Sequence, residues 1–189
     1  YTAACTYTVS LTATNAGGSD TATKTDYITA TSGPAEEIVY PDEWETYSGQ
    51  DVTVISGSLA DLDADDDVYL LAECNSGNQQ SSFEFRWHTN YTAADISKIT
   101  VEFQYHGSSS STPQYWTYIK EGDLSQYTTM QDFALWPTTD QWSTWETTNV
   151  SQFLASDGSL TAVLCACPQS SSTYNTYLDV VRIRLELAQ

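Results

Sequence analysis

Apolar and polar residues alternate with a period of two through much of this chain. Ile99, Val101, Phe103 and Tyr105 interleave with Thr100, Glu102, Gln104 and His106, as in a strand with one face buried and the other in water. Towards the C-terminus, Leu178, Val180, Ile183, Leu185 and Leu187 oppose Asp179, Arg182, Arg184 and Glu186, and the phase slip at Val180-Val181 predicts a β-bulge. Taken with these two, strand-like runs are expected at Asp51 to Ser58, Val68 to Cys74, Ser82 to His88, Lys98 to Gly107, Gln114 to Lys120, Thr144 to Val150, Leu160 to Cys167 and Tyr177 to Leu187. Eight such runs predict an antiparallel sandwich, and a jelly roll is the architecture expected.

Residues 5 to 31 predict a separate hairpin. Tyr7, Val9, Leu11 and Ala13 fall on one face, Thr8, Ser10, Thr12 and Thr14 on the other, and Asn15-Ala16-Gly17-Gly18-Ser19-Asp20 supplies the turn before a second strand to Thr31. Two strands bury too little apolar surface to offset chain entropy. Tyr7, Val9 and Leu11 are therefore expected to need a covering surface, either from strands upstream or from another molecule. Ser32-Gly33-Pro34-Ala35-Glu36-Glu37 has the composition of a linker, which places a boundary near Pro34 and gives a first unit at 1–34 and a second at 35–189.

Composition supports an all-β fold. Thr, Ser, Tyr, Trp and Val are plentiful, whereas Lys and Arg together number six and Met appears once, so the usual material of helix surfaces is scarce. The 25 acidic residues give a net charge of -19, a surface that repels phosphate backbones and anionic lipid, so nucleic acid is not an expected partner. The longest apolar stretches, Val68 to Ala72 and Ala162 to Ala166, are far shorter than the roughly 20 residues of a membrane helix, and no membrane insertion is expected.

The densest chemical signal is Asp61-Leu62-Asp63-Ala64-Asp65-Asp66-Asp67, with five carboxylates in seven positions. A hard cation relieves such repulsion, and Ca²⁺ takes six to eight oxygen ligands. Asp63, Asp65, Asp66 and Asp67 are the candidate ligands. The segment has neither the central Gly nor the twelfth-position Glu of an EF-hand. A solvated loop of turn-forming aspartates is the alternative reading.

Cys165 and Cys167 share a strand face and are poorly placed to bond to each other. Cys74 paired with either of them is the expected disulfide, with buried free thiols as the alternative. His88 and His106 sit in no recognisable motif, and the chain carries no Gly-x-Ser-x-Gly elbow, no His-Glu-x-x-His and no phosphate loop. It reads as a non-enzyme. Trp136, Trp142 and Trp145 lie in a loop-like stretch where an indole face can stack on a sugar ring, or else cover the open end of the sandwich. Trp116 and Tyr118 alternate with Tyr115, Thr117 and Ile119, so both faces of that strand carry aromatic mass and one contact surface is expected to be rich. Asn90-Tyr91-Thr92 and Asn149-Val150-Ser151 match the N-glycosylation pattern, fitting an extracellular surface.

Two resemblances extend this reading. The stretch Tyr7-Thr8-Val9-Ser10-Leu11-Thr12-Ala13-Thr14-Asn15-Ala16-Gly17-Gly18-Ser19-Asp20, with Asp26-Tyr27-Ile28, resembles the last two strands of a polycystic-kidney-disease (PKD) domain, an immunoglobulin-like sandwich of secreted and cell-surface proteins. The family's front half has no counterpart here, so the resemblance implies the tail of a longer multidomain protein. Ser56-Gly57-Ser58-Leu59-Ala60-Asp61-Leu62, Asp65-Asp66-Asp67-Val68-Tyr69-Leu70 and Leu178-Asp179-Val180-Val181-Arg182-Ile183 resemble a β-sandwich module near the C-termini of secreted bacterial and archaeal proteins. That likeness implies a non-catalytic appendage shaped like carbohydrate-binding jelly rolls. It also implies a structural Ca²⁺ between the start and end of the sandwich, with Asp179 as a distant ligand.

The resulting expectation is an extracellular module that mediates cohesion or assembly of a cell-surface or filamentous structure. Its partners would be copies of itself or other surface proteins, engaged through Tyr7, Val9 and Leu11. The alternative is a carbohydrate-binding accessory module of a secreted hydrolase, with polysaccharide as its partner.

Overall fold

The computed structural model describes residues 5–30, 35–46, 52–74, 81–108, 114–133, 138–167 and 174–188. The chain divides into two compact units, Tyr1–Pro34 and Ala35–Gln189. In the first, β1 (Cys5–Asn15) and β2 (Gly18–Ala30) pair antiparallel. Gly18 takes φ +137 in the turn, and the Gly17 N–H donates to Asn15 Oδ1 at 2.7 Å, so the Asn side chain closes the turn on its own backbone. One face is a hydroxyl ladder, with Thr12 against Thr21 at 2.8 Å and Ser10 against Thr23 at 3.0 Å. Leu11 pairs with Ala22 and Tyr7 with Ile28, with a register shift between Tyr7 and Val9. Leu11 is 72% exposed and Val9 36%.

The second unit contains β3 (Glu36–Val39), β4 (Glu43–Thr46), β5 (Val52–Ser56), β6 (Leu70–Cys74), β7 (Ser81–His88), β8 (Ile96–Gly107), β9 (Gln114–Lys120), β10 (Tyr127–Phe133), β11 (Gln141–Thr147), β12 (Ser159–Cys167) and β13 (Tyr174–Leu187). A 3₁₀ turn covers Leu59–Leu62, and one helical turn, α1, covers Val150–Phe153. The strands form two antiparallel sheets, a five-stranded one in the order β10-β9-β12-β7-β4 and a six-stranded one in the order β11-β8-β13-β6-β5, with β3 also on β13. This is the all-β jelly-roll-like sandwich predicted from the alternation.

Strand parity decides which residues meet between the sheets. Phe83, Phe85, Trp87, Leu160, Ala162, Leu164 and Ile119 of the five-stranded sheet face Leu70, Ala72, Ile99, Val101, Phe103, Leu178, Val181 and Ile183 of the other, all buried. Phe85 stands at the centre of this core, its ring 6.1 Å from Phe83, 6.4 Å from Trp87 and 6.1 Å from Phe103 of the opposite layer. The α1 turn places Phe153 edge-on against Trp145 at 5.2 Å, joining both to the core.

Two features of this unit position the site below. Gly57 has φ +95, and a Cβ there would lie 2.5 Å from the Tyr69 carbonyl oxygen, so only glycine lets the chain pass so close to the start of β6. The other is a change of partner along β13. Its first half pairs with β6 through Tyr174 to Leu178, its second half pairs with β3 through Ile183 to Glu186, and β8 flanks both. The register slips between Leu178 and Val180, one residue before the slip expected from the sequence. Asp179 is the extra residue. It lies where β13 has left β6 and has not yet met β3, beside the acidic segment that leads into β6.

Candidate functional site

The acidic segment divides by role. Asp61 accepts hydrogen bonds from the Ser58 N–H at 2.6 Å and the Ser58 hydroxyl at 3.0 Å, capping the 3₁₀ turn. Asp65 Oδ1 accepts from Gln104 Nε2 at 3.0 Å, and Asp66 Oδ1 accepts from the Val68 N–H at 3.1 Å. Asp63 stands exposed. Asp67, with φ +61, is turned towards Asp179, in a left-handed conformation that aspartate tolerates better than most residues.

One carboxylate oxygen from each of Asp67, Asp140 and Asp179 lies within 4.8 Å of the others. Of the five aspartates expected to ligate, the structure therefore gathers Asp67 and Asp179 and leaves Asp63, Asp65 and Asp66 outside the group. Asp140, directly before β11, completes it and was not predicted.

Asp179 is fully buried, and neither of its carboxylate oxygens has a hydrogen-bond partner among the described residues. Burial pushes its carboxyl up to about 6, and the nearby Asp140 and Asp65 charges push the same way; the backbones of Asp66 and Asp67 oppose the rise without reaching hydrogen-bond geometry. A buried, unpaired carboxylate facing two others is costly unless a cation compensates it. The donors are all hard oxygens, and oxygens bound at 2.3–2.6 Å to a common ion lie up to about 5 Å apart, so the group fits Ca²⁺. A hollow of about 360 Å³ lined by Asp67, Tyr69, Tyr177 and Gly57, among others, opens beside it.

Around these carboxylates, Tyr69 donates its hydroxyl towards Asp67 Oδ1 at 3.0 Å and Asp140 Oδ2 at 3.1 Å. His106 Nδ1 lies 2.7 Å from Asp140 Oδ1. The second histidine, His88, is exposed and holds Asp42 at 2.8 Å.

The outer face of the five-stranded sheet carries a different chemistry. Pairing places Glu45, Glu84, Val163, Tyr118 and Thr129 in one transverse row, Glu43, Arg86 and Thr161 in the next, and Lys120 opposite Tyr127 two residues on from Tyr118. Ser82, Cys165 and Trp116 follow in a third. Trp116, Tyr118, Tyr127, Arg86 and Lys120 are half-buried and Glu43 is exposed, whereas Glu84, Thr161 and Val163 are buried, so the aromatic rings with Arg86, Lys120 and Glu43 form the accessible layer. Tyr127 donates its hydroxyl to Glu84 Oε2 at 3.1 Å, and Arg86 pairs with Glu43 at 2.9 Å. At the β4 edge, Asp42, Glu43, Trp44, Glu45, Leu59, Glu84 and Arg86 line a groove of about 370 Å³.

The chain resembles known structures only in shape. No family model matches it, and no curated protein sequence does. Among solved structures it is similar to one described as "CBM4 structure and function", at 14% identity over 76% of this chain and 94% of that one, with a TM-score of 0.48. It is similar to a second that describes carbohydrate-binding modules of the β-sandwich superfamily, at 16% identity over 100% of this chain and 76% of that one, TM-score 0.48. A third is the N-terminal cellulose-binding domain of Cellulomonas fimi β-1,4-glucanase C, at 16% identity over 84% of this chain and the whole of that one, TM-score 0.43.

Gln141–Thr147 is the strand β11, not a loop, so Trp142 and Trp145, three positions apart, point to opposite faces. Trp145 packs against the core, whereas Trp142 is 43% exposed on the outer face of the six-stranded sheet, with the Arg182 guanidinium 5.0 Å above its ring. Trp136 lies outside the described residues. Cys165 is a buried free thiol, accepting from the Ser82 hydroxyl at 3.0 Å, so a bond from Cys74 to Cys165 is not formed. The side chains of Cys74 and Cys167 lie outside the described residues. Asn90 and Asn149 are both exposed, and Asn149 precedes α1 with its Nδ2 donating to Gln152 Oε1 at 2.7 Å.

Proposed function

We propose that residues 35–189 form a non-catalytic carbohydrate-binding module of a secreted or cell-surface protein, with the glycan lying across the outer face of the five-stranded sheet. The observation that carries this reading is the accessible layer made by Trp116, Tyr118 and Tyr127, interleaved with Arg86, Glu43 and Lys120. Sugar rings present C–H faces that stack on aromatic rings and hydroxyls that bond to charged planar groups. An open sheet face with both kinds of group suits an extended chain of sugars. Calcium has a supporting part: Asp67, Asp140 and Asp179 would hold it, and it would compensate their charge and tie together the acidic segment, the lead into β11 and the bulge of β13.

Retention on neutral polysaccharides tests the reading. Trp116→Ala and Tyr118→Ala are each expected to weaken binding about tenfold, the worth of one well-stacked ring. Unaltered retention in both variants, or none in the parent chain against any polysaccharide tried, contradicts it.

A second reading, cohesion through the N-terminal hairpin, is favoured by the exposure of Leu11 and Val9 opposite a continuous hydroxyl ladder. The hairpin would then be the end of a PKD-like sandwich completed by another surface. If so, Leu11→Asp abolishes concentration-dependent self-association in sedimentation, and a parent chain that sediments as a monomer at all concentrations removes this reading.

A further inference from the structure

Tyr69 holds an unusual place beside the three carboxylates. It lies two residues after Asp67, where the acidic segment turns into β6, and its single hydroxyl reaches carboxylates from two distant parts of the chain, Asp67 Oδ1 at 3.0 Å and Asp140 Oδ2 at 3.1 Å, the latter 71 residues away. One proton serves two acceptors, so the hydroxyl holds both aspartates at once and fixes their spacing.

The ring itself is immobilised. It stands edge-on to His106 at 5.0 Å and 89°, and to Tyr177 at 5.6 Å and 83°, while His106 and Tyr177 stack at 4.3 Å and 8°. His106 takes the remaining oxygen of Asp140 at 2.7 Å. Both oxygens of Asp140 are thus tethered by groups locked in one aromatic cluster, and exposed Asp67 is tethered by the same phenol. Asp179 needs no such hold, because it is buried within β13.

Three like charges left to themselves move apart, most easily the exposed one. We infer that Tyr69, braced by His106, is a positioning residue that holds Asp67 and Asp140 against their repulsion at the spacing a divalent cation requires. This rests on the calcium reading above. Groups that orient metal ligands from behind typically govern metal affinity by 10–100-fold, and the pre-ordered ligands spare the ion the cost of gathering them.

Tyr69→Phe keeps the ring and removes only the hydroxyl. Calorimetric titration of the chelator-stripped full chain with CaCl₂ is expected to show affinity reduced about 10–100-fold, with the melting temperature in chelator close to that of the parent. In an Asp140→Asn background the same substitution is expected to cost much less, since half of the tether has lost its purpose. An unchanged calcium affinity overturns the inference. So does a lower melting temperature in chelator with unchanged affinity, which marks a packing role alone. A parent chain that takes up no calcium overturns the calcium reading itself and this inference with it, whereas normal uptake in Tyr69→Phe overturns this inference only.

Discussion

Millimolar Ca²⁺ is expected to raise the melting temperature of the chelator-stripped protein by roughly 5–10 °C, and Asp179→Asn to abolish that rise. An ion present at 100 times its dissociation constant adds about 2.7 kcal/mol to the folded state, and one kcal/mol moves the midpoint of a protein this size by about 2–4 °C. The variant separates the ion from the residue. Burial lifts the Asp179 carboxyl to about 6 in the folded state, from an ordinary value of 3.8. Its penalty is therefore absent below pH 3.8, grows between the two values and is complete at pH 7, where it amounts to something on the order of 3 kcal/mol without a cation. Asparagine fills the same space without the charge. In chelator at pH 7 the variant is expected to melt above the parent, and in calcium the order reverses or the gap closes. A variant that melts below the parent in chelator would show that the carboxylate is already compensated by other means.

Phe85→Ala has the largest expected effect on the fold itself. The ring is fully buried and in contact with Phe83 and Trp87 of its own sheet and Phe103 of the other, so its loss removes packing within one layer and between the two. Phenylalanine to alanine at such positions costs about 3–5 kcal/mol, which lowers the midpoint by roughly 10 °C or more. Leu124→Ala is the control. Leu124 is 56% exposed, and its truncation is expected to change stability by less than about 0.5 kcal/mol. Equal effects of the two substitutions in a chemical denaturation series would mean that Phe85 does not hold the layers together.

The long strands were legible because their alternation persists over many residues. β8 and β13 alternate apolar and polar residues over most of their length, and no helix can keep that pattern. The wet face expected for β8 is not found, because Thr100, Glu102 and Gln104 are buried as fully as the apolar residues between them, with β11 and β13 pairing on either side. β3 and β4 are four residues each, too short for a period to stand out, and β10 mixes threonine and glutamine along its length. β11 was misplaced for a different reason. Trp136-Pro137-Thr138-Thr139-Asp140 reads as loop and draws Trp142 and Trp145 into the same loop-like stretch, yet strand parity sends Trp142 outward and Trp145 into the core.

The candidate ion site shows the limit more sharply. Asp67 was visible because it ends a dense acidic run. Asp140 carries no local signal, being a single aspartate before a strand, and only the pairing of β11 with β8, which places it beside His106, brings it to the cluster. The aromatic layer proposed to face the glycan was half visible: alternation at Trp116 and Tyr118 announced a rich face, while its partners Glu84, Arg86 and Tyr127 come from strands that the sequence could not order.

Affinity electrophoresis in polysaccharide gels, with a Trp116→Ala/Tyr118→Ala double variant run beside Trp142→Ala, tests the central claim most directly, because it sets the two sheet faces against each other. The account predicts that the double variant migrates as it does in a gel without polysaccharide and that Trp142→Ala is retarded like the parent chain. Retardation of the double variant together with free migration of Trp142→Ala would place the ligand on the six-stranded sheet and contradict it.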